Sequence, residues 1–124
     1  EAAKNAAPDG YTLLVNTTPF VTNQFAYAKV PYDPVNDFAA ISLLCSVSSV
    51  LVAQPTLPVN SMKDLIALAR SKPNQITYGT AGAATNPHIA GELLNHLAKI
   101  KLVAVHYKGG GPATIAAITK GREW

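Results

Sequence analysis

Two glycine-punctuated turns constrain what this chain can fold into more than any other feature. Gly79-Thr80-Ala81-Gly82-Ala83-Ala84-Thr85-Asn86-Pro87-His88 follows the short apolar run Ile76-Thr77-Tyr78. Tyr107-Lys108-Gly109-Gly110-Gly111-Pro112 closes a second run that starts at Leu102. Each turn leads into a segment with a readable helix start. A strand that ends in a small, polar, glycine-containing loop and enters a helix presents backbone N–H groups at the positive end of the helix dipole, a ready seat for an anion. Neither turn holds a set of reactive side chains, so the pattern predicts binding rather than chemistry. The alternative for each turn is a plain connection, because glycine serves such loops for backbone reasons alone. Their pairing favours the anion.

The rest of the chain reads as alternating strands and helices, which predicts an α/β layer with a mainly parallel sheet. Pro8-Asp9-Gly10 is a turn, and Tyr11-Thr12-Leu13-Leu14-Val15 is expected as a strand. Asn16-Thr17-Thr18-Pro19 ends it, and a short helix is expected over Phe20 to Ala28. Pro31-Tyr32-Asp33-Pro34 is a further turn. Strands are expected around Ala40 to Leu44 and over Ser49 to Gln54, the latter buried on both faces because its hydrophobicity is continuous. Pro55 and Pro58 make the stretch after Gln54 the one plausible boundary. Ser61-Met62-Lys63-Asp64 matches a capping box with Asp in place of Glu, so a helix should start at Met62, bury Leu65, Ile66 and Leu68, and end before Pro73. A third helix starts at Pro87, capped by Thr85 or Asn86, with Ile89, Ala90, Leu93, Leu94 and Leu97 along one face. A fourth opens at Pro112, runs through Ile115 and Ile118, and stops at Gly121.

Several classes of function are excluded by what the chain lacks. Its 124 residues allow at most one compact domain, or a piece of a larger one, and 48% apolar against 14% charged content argues for a buried core rather than disorder. The net charge of +3 comes from scattered Lys and Arg with no basic run, so no nucleic-acid partner is expected. Phe38 to Met62 has no charge, but Ser42, Ser46, Ser48, Ser49, Pro55 and Pro58 break it too often for a membrane span. The opening Glu1-Ala2-Ala3-Lys4-Asn5 has no apolar h-region, so the residues in hand read as a mature, trimmed or internal stretch. Cys45, the single cysteine, reads as a small buried hydrophobe. His88, Glu92 and His96 share a helix face, yet His88 and His96 stand about 12 Å apart along the axis, too far for one ion. No metal or cofactor is expected. No Gly-x-Ser-x-Gly elbow and no close carboxylate pair supports an enzyme. The first turn is no P-loop, and the second no dinucleotide fingerprint.

Ala-Pro-Asp-Gly-Tyr-Thr-Leu-Leu (Ala7 to Leu14), Tyr32-Asp33-Pro34 with Asp37-Phe38, Leu57-Pro58 before Ser61, Tyr78-Gly79-Thr80-Ala81-Gly82, His88-Ile89-Ala90-Gly91-Glu92-Leu93 and Tyr107-Lys108-Gly109 occur in that order. Together they resemble the Bug, or TctC-like, solute-binding proteins of tripartite tricarboxylate transporters, over almost the whole chain. The resemblance implies part of a two-lobed type II periplasmic-binding-protein-like fold, a central fragment lacking the family's first strand and C-terminal half. Residues 1–54 would belong to the first lobe and 55–124 to the second. It also implies a periplasmic, non-enzymatic role: capture of a small organic acid, a dicarboxylate or similar, by lobe closure, for integral-membrane transporter subunits. The residues implied in ligand binding are Thr17 and Thr18 in the first lobe and Thr80, Ala81, Gly82, Thr85 and His88 in the second. Tyr107, Lys108 and Gly109 match a further motif near the site. Ala84 stands where the family has a second glycine, Asn74-Gln75 where Gly-Lys is common, Ala104 where a histidine is usual, and His106 where a proline is usual. The alternative is an α/β enzyme or regulatory domain that binds an anionic metabolite through the same turns, or a scaffold in which both turns are only connections.

Overall fold

The computed structural model describes residues 2–119. Helix α1 spans Pro19–Ala26, α2 Met62–Ser71, strand β1 Thr77–Thr80, α3 Asn86–Ala98, β2 Val103–His106 and α4 Gly110–Thr119. These elements divide into two compact units, one up to Ser48 and one from Ser49 onward.

The first unit is held by side chains rather than by a sheet. Phe20 stacks on Tyr32 at 5.1 Å, and Phe38 meets both rings edge-on, at 5.0 and 6.2 Å. The Tyr32 hydroxyl donates to the Phe20 carbonyl at 2.9 Å, which ties the Pro31–Pro34 turn to α1. Asp33 then organises the next turn: its carboxylate accepts from the Val35 and Asn36 N–H groups at 2.8 and 3.1 Å and from the Asn36 amide at 2.7 Å. Asp37 closes the knot by accepting from the Asp33 N–H and pairing with Lys4, both at 2.7 Å.

The strands expected at Tyr11–Val15 and Ala40–Leu44 do not form, and neither does the one at Ser49–Gln54 in the second unit. These segments are irregular and open to solvent: Tyr11 is 91% exposed, Leu43 83% and Val50 80%. Apolar, β-branched sequence supplies the preference for extended backbone, but a strand exists only when a neighbour completes its hydrogen bonds. Among the described residues no neighbour does so. Cys45, expected to be buried, is exposed for the same reason.

The second unit is built as the sequence dictates. Ser61 caps α2 by accepting from the Asp64 N–H at 3.2 Å, and the Asp64 carboxylate reaches back to the Asn60 N–H at 3.1 Å. Leu65 and Ala69 are the buried residues of α2, with Ile66 and Leu68 half-buried. Ala69 packs with Ile100 and Leu102, and Ile66, Ile76, Tyr78, Leu94 and Ala98 close around them. The sheet is two parallel strands among the described residues, with Thr77 opposite Val103 and Thr80 opposite His106. Asn95 clamps the entry to β2: its side chain donates to the Leu102 carbonyl at 3.0 Å and accepts from the Leu102 N–H at 2.8 Å. The apolar face expected on α3 is only partly covered. Leu94 is half-buried, while Leu93 and Leu97 are 54% and 71% exposed, because nothing described packs over that side. Helix α4 starts at Gly110, two residues before the expected Pro112, so that Pro112 sits in its first turn, where a missing N–H costs nothing. Its expected stop at Gly121 lies outside the described residues.

Candidate functional site

Parallel pairing decides where the two glycine turns go. Because Thr80 lies opposite His106, both strands end at the same edge, and both turns leave it side by side. In open α/β sheets that carboxyl edge is where ligands sit. The turns are also bonded to each other. The Tyr107 N–H donates to the Thr80 carbonyl at 2.9 Å, and the Gly109 N–H donates to the Ala81 carbonyl at 3.2 Å.

The first turn is shaped by its hydroxyls. Thr80 is 1% exposed, and its Oγ1 lies 2.7 Å from His106 Nδ1 while accepting from the Gly82 N–H at 3.3 Å. Thr85 occupies the cap position of α3, but its side chain makes no cap hydrogen bond. It turns back instead and donates to the Gly82 carbonyl at 2.7 Å. Thr85, one of the two residues expected at the cap, thus holds that position without the side-chain bond that usually goes with it. The hydroxyl proton goes to the Gly82 carbonyl, which ties the cap residue to its own turn. The first bond of α3 runs from the Ile89 N–H to the Thr85 carbonyl at 3.0 Å. The N–H groups ahead of Ile89 therefore stand outside the ladder, at the positive end of the helix.

Ala84 takes φ +59 and is 4% exposed, and Gly82 takes φ +136. A left-handed residue is what the turn needs at position 84, a conformation that glycine adopts without cost and alanine does not. The alanine keeps the conformation rather than tightening the turn. His88, one turn into α3, accepts from the Ala84 N–H at its Nδ1 (3.2 Å) and meets the His106 ring edge-to-face at 4.6 Å.

Of the residues expected to bind ligand, eight belong to this edge. Ala81, Gly82, Thr85, His88, Tyr107 and Gly109 are half-buried, Lys108 is exposed, and Thr80 is buried. Thr17 and Thr18 lie in the first unit, at the start of α1, where their carbonyls accept from Phe20, Val21 and Thr22 and their side chains are exposed. A groove of about 1080 Å³ in the second unit runs past Gly79, Ala81 and Tyr107 toward Leu51, Leu65 and Leu94. Its walls are mainly apolar.

Sequence reasoning missed two residues here. His106 was noted only as a departure from a proline, yet it sits opposite Thr80 and bonds to it. Tyr78 spans α3, donating to Glu92 Oε1 at 2.8 Å and to the His88 carbonyl at 3.4 Å. Burial, then the Glu92 carboxylate, holds its phenol well above the ordinary tyrosine range, so it is a fixed donor. Gly91 makes this possible, since a Cβ there would overlap the Tyr78 ring. Among the described residues no group of three His, Cys, Asp or Glu is placed to hold a metal. No helix among them is long and apolar enough to cross a membrane.

Comparison with known proteins matches residues 1–122 to the model of the tripartite tricarboxylate transporter family receptor. A UPF0065 protein from the tcbD-tcbE intergenic region of Pseudomonas sp. (strain P51) is 34% identical over 94% of this chain and 34% of its own length. Protein BugT of Bordetella pertussis is 28% identical over 93% of this chain and 36% of its own. Among solved structures, R. palustris Rpa4515 with adipate superposes with a TM-score of 0.85 at 31% identity, over 98% of this chain and 40% of the other. A periplasmic transporter superposes with a TM-score of 0.82 at 30% identity, over 98% and 41%. The chain thus spans about a third of the length of the curated relatives it matches.

Proposed function

The chain belongs to the tripartite tricarboxylate transporter receptor family, and from that premise we propose that it is part of a periplasmic solute-binding protein for a small organic acid. Its α/β fold is that of a portion of the periplasmic transporter proteins it superposes on. In the proposed reading the protein performs no catalysis. It captures a carboxylate and presents it to integral-membrane transporter subunits. Residues up to Gln54 are proposed as first-lobe sequence and 55–124 as second-lobe sequence.

The observation that carries this reading is the joining of the two glycine turns at one sheet edge, each at the start of a helix. Helix starts favour an anion through their orphan N–H groups and their dipoles, and that of α3 has no side-chain cap. A solved relative with adipate supports a carboxylate as that anion. Gly82, Ala81 and Gly109 offer the backbone, His88, Tyr107 and Lys108 offer side chains, and Thr80 and Thr85 hold the turn in shape. Thr17 and Thr18 are proposed as the contribution of the first unit.

Calorimetric titration of the intact protein with adipate and a panel of mono-, di- and tricarboxylates tests the reading, with the neutral diamide of adipate as control. Binding of at least one acid and none of the diamide is expected. Replacing Thr85 with Val frees the Gly82 peptide and removes about 1 kcal/mol of hydrogen bonding from the turn, so affinity should fall about fivefold to tenfold. An intact protein that binds no organic acid overturns the reading.

A further inference from the structure

Strand β1 has one partner and one bare edge, and the bare edge faces a slot. On the paired side, the Ile76 and Thr80 carbonyls accept from the Val103 and Tyr107 N–H groups. The backbone groups of Thr77 and Gly79 therefore point the other way, and among the described residues none of them is hydrogen-bonded. On that side lies the groove of about 1080 Å³. Its opposite wall is Val50 to Ala53, apolar residues that also lack a ladder. The remaining walls are helix faces: Leu65 of α2 with Ala90 and Leu94 of α3, and Ala113 and Ala117 of α4. Helices α3 and α4 lie on opposite faces of the sheet. Tyr78 meets Gly91 of α3, whereas the next residue, Gly79, faces Ala113 of α4, and consecutive strand residues point to opposite faces. The slot is thus a gap in the sheet layer itself, with a helix on each side of that layer. Native interiors leave few voids larger than a water molecule, and a bare strand edge is a template for another strand.

We infer that a third parallel strand fills this slot, on the side of β1 away from β2, and that the polypeptide following α4, from Lys120 onward, supplies it. The hand of the connections selects both the place and the source. A crossover between parallel strands of one sheet is right-handed in nearly every case. Helix α3 carries the chain from β1 to β2 over one face. Helix α4 leaves β2 over the opposite face, and a right-handed crossover there steps back toward β1. That position is taken, so the return passes over β1, on which α4 packs, and lands on its bare edge. One segment then serves both walls of the slot. Thr77 and Gly79 gain hydrogen-bond partners, and Val50 and Val52, 80% and 73% exposed, gain the neighbour that Ser49–Gln54 lacks. The curated relatives have chain to spare for it, since this sequence spans about a third of their length. The inference is independent of which ligand the protein takes.

The sequence and the NMR spectrum of the intact protein test this. A strand covered on both faces reads as a nearly continuous apolar run, and loops from helix to strand take about 2–6 residues. Such a run, about five residues long, is expected within roughly ten residues of Thr119, and a wholly polar stretch there overturns the inference. Hydrogen exchange should protect the Thr77 and Gly79 amides to within about tenfold of those of Tyr78 and Thr80, which face β2. Backbone nuclear Overhauser effects should connect Thr77 and Gly79 to the apolar run in parallel order. Free exchange at Thr77 and Gly79 would show the edge unpaired and overturn the inference. Overhauser effects that join them directly to Val50–Ala53, or to a strand from any other part of the polypeptide, would overturn it equally, since the slot would then be closed by something else.

Discussion

The two units of this chain draw on similar sequence and end in different states. In the second, short apolar runs become paired strands, and a core forms around Ala69, Ile100 and Leu102. In the first, runs of the same kind at Tyr11–Val15 and Ala40–Leu44 stay unpaired and exposed, and order comes from three packed aromatic rings and an aspartate knot. The difference is partners, not propensity. Ile76–Thr80 finds Leu102–His106 about two dozen residues on, across one helix, the spacing of a parallel crossover. Extended residues without such a return keep their preference and lose their ladder.

The largest expected effect tests how much the second unit depends on close packing against α3. Gly91→Ala places a methyl where the Tyr78 ring lies, so the ring must leave and its bonds to Glu92 and His88 break. Overpacking and the lost hydrogen bonds together should cost about 3 kcal/mol, outweighing the gain in helix propensity of about 1 kcal/mol. Urea unfolding should show the loss. Restoration by Gly91→Ala combined with Tyr78→Phe would not be expected, since the ring itself causes the overlap, whereas Tyr78→Ala in that background should recover part of it. A wild-type midpoint in Gly91→Ala alone would refute the packing argument.

Next is Asn95→Ala, which leaves the N–H and carbonyl of buried Leu102 without partners. Buried groups stranded in this way cost about 1–3 kcal/mol. Hydrogen exchange should accelerate at Val103–His106 and Thr77–Thr80, while the amides of Val35 and Asn36 in the first unit keep their protection. Loss of protection in both units together would break the comparison drawn above.

What the sequence made legible follows the same division. The capping box at Ser61, the helices expected from Phe20, Met62 and Pro87, and the pair of strands before the glycine turns were readable because their signals are local: a hydroxyl, a proline, or a period of apolar residues. The shared edge of the two turns was readable as soon as the strands were taken as parallel neighbours. What escaped was non-local. No pattern says that Thr85 will prefer the Gly82 carbonyl to its helix, or that Tyr11 and Val50 will lack a neighbour. His106 and Asn95 each had a faint signal, a ring at a strand end and an amide on an apolar helix face. Only the register and the approach of α3 to Leu102 gave those signals meaning.

Acidification separates the units with a smaller effect. Asp33 is held below the usual carboxylate range first by the Asn36 amide and then by the Val35 and Asn36 N–H groups. Asp37 is lowered by the Asp33 N–H and by Lys4, and Asp64 by the Ser61 hydroxyl and the Asn60 N–H. A lowered folded pKa means that the stabilising contribution is full above the unfolded value of about 3.9 and is lost as pH falls through the folded one. Among the described residues the first unit has two such carboxylates and the second has one. Exchange rates corrected for intrinsic pH dependence should therefore rise earlier at Val35 and Asn36 than at Thr77–Thr80 as pH drops below about 4. Equal or reversed order would show that the aspartate knot does not hold the first unit together.

The smallest effect concerns the one residue in the first glycine turn that departs from its backbone need. Ala84 sits at φ +59, a region that costs an L-residue about 1–2 kcal/mol and glycine almost nothing. Ala84→Gly removes that strain. It also loses a buried methyl, worth about 0.8 kcal/mol, and returns entropy to the unfolded chain worth about 0.4–1 kcal/mol. These terms nearly cancel, so thermal unfolding should shift by less than about 1 kcal/mol in either direction. The turn itself should keep its geometry, with the Ala84 N–H bond to His88 carried over to the glycine N–H. Carboxylate affinity should then stay within about twofold of wild type, since the donors around position 84 do not move. A large loss of affinity at unchanged stability would show that the methyl itself touches the ligand. A large gain in stability would show that the strain at this turn had been held in place by the rest of the second unit.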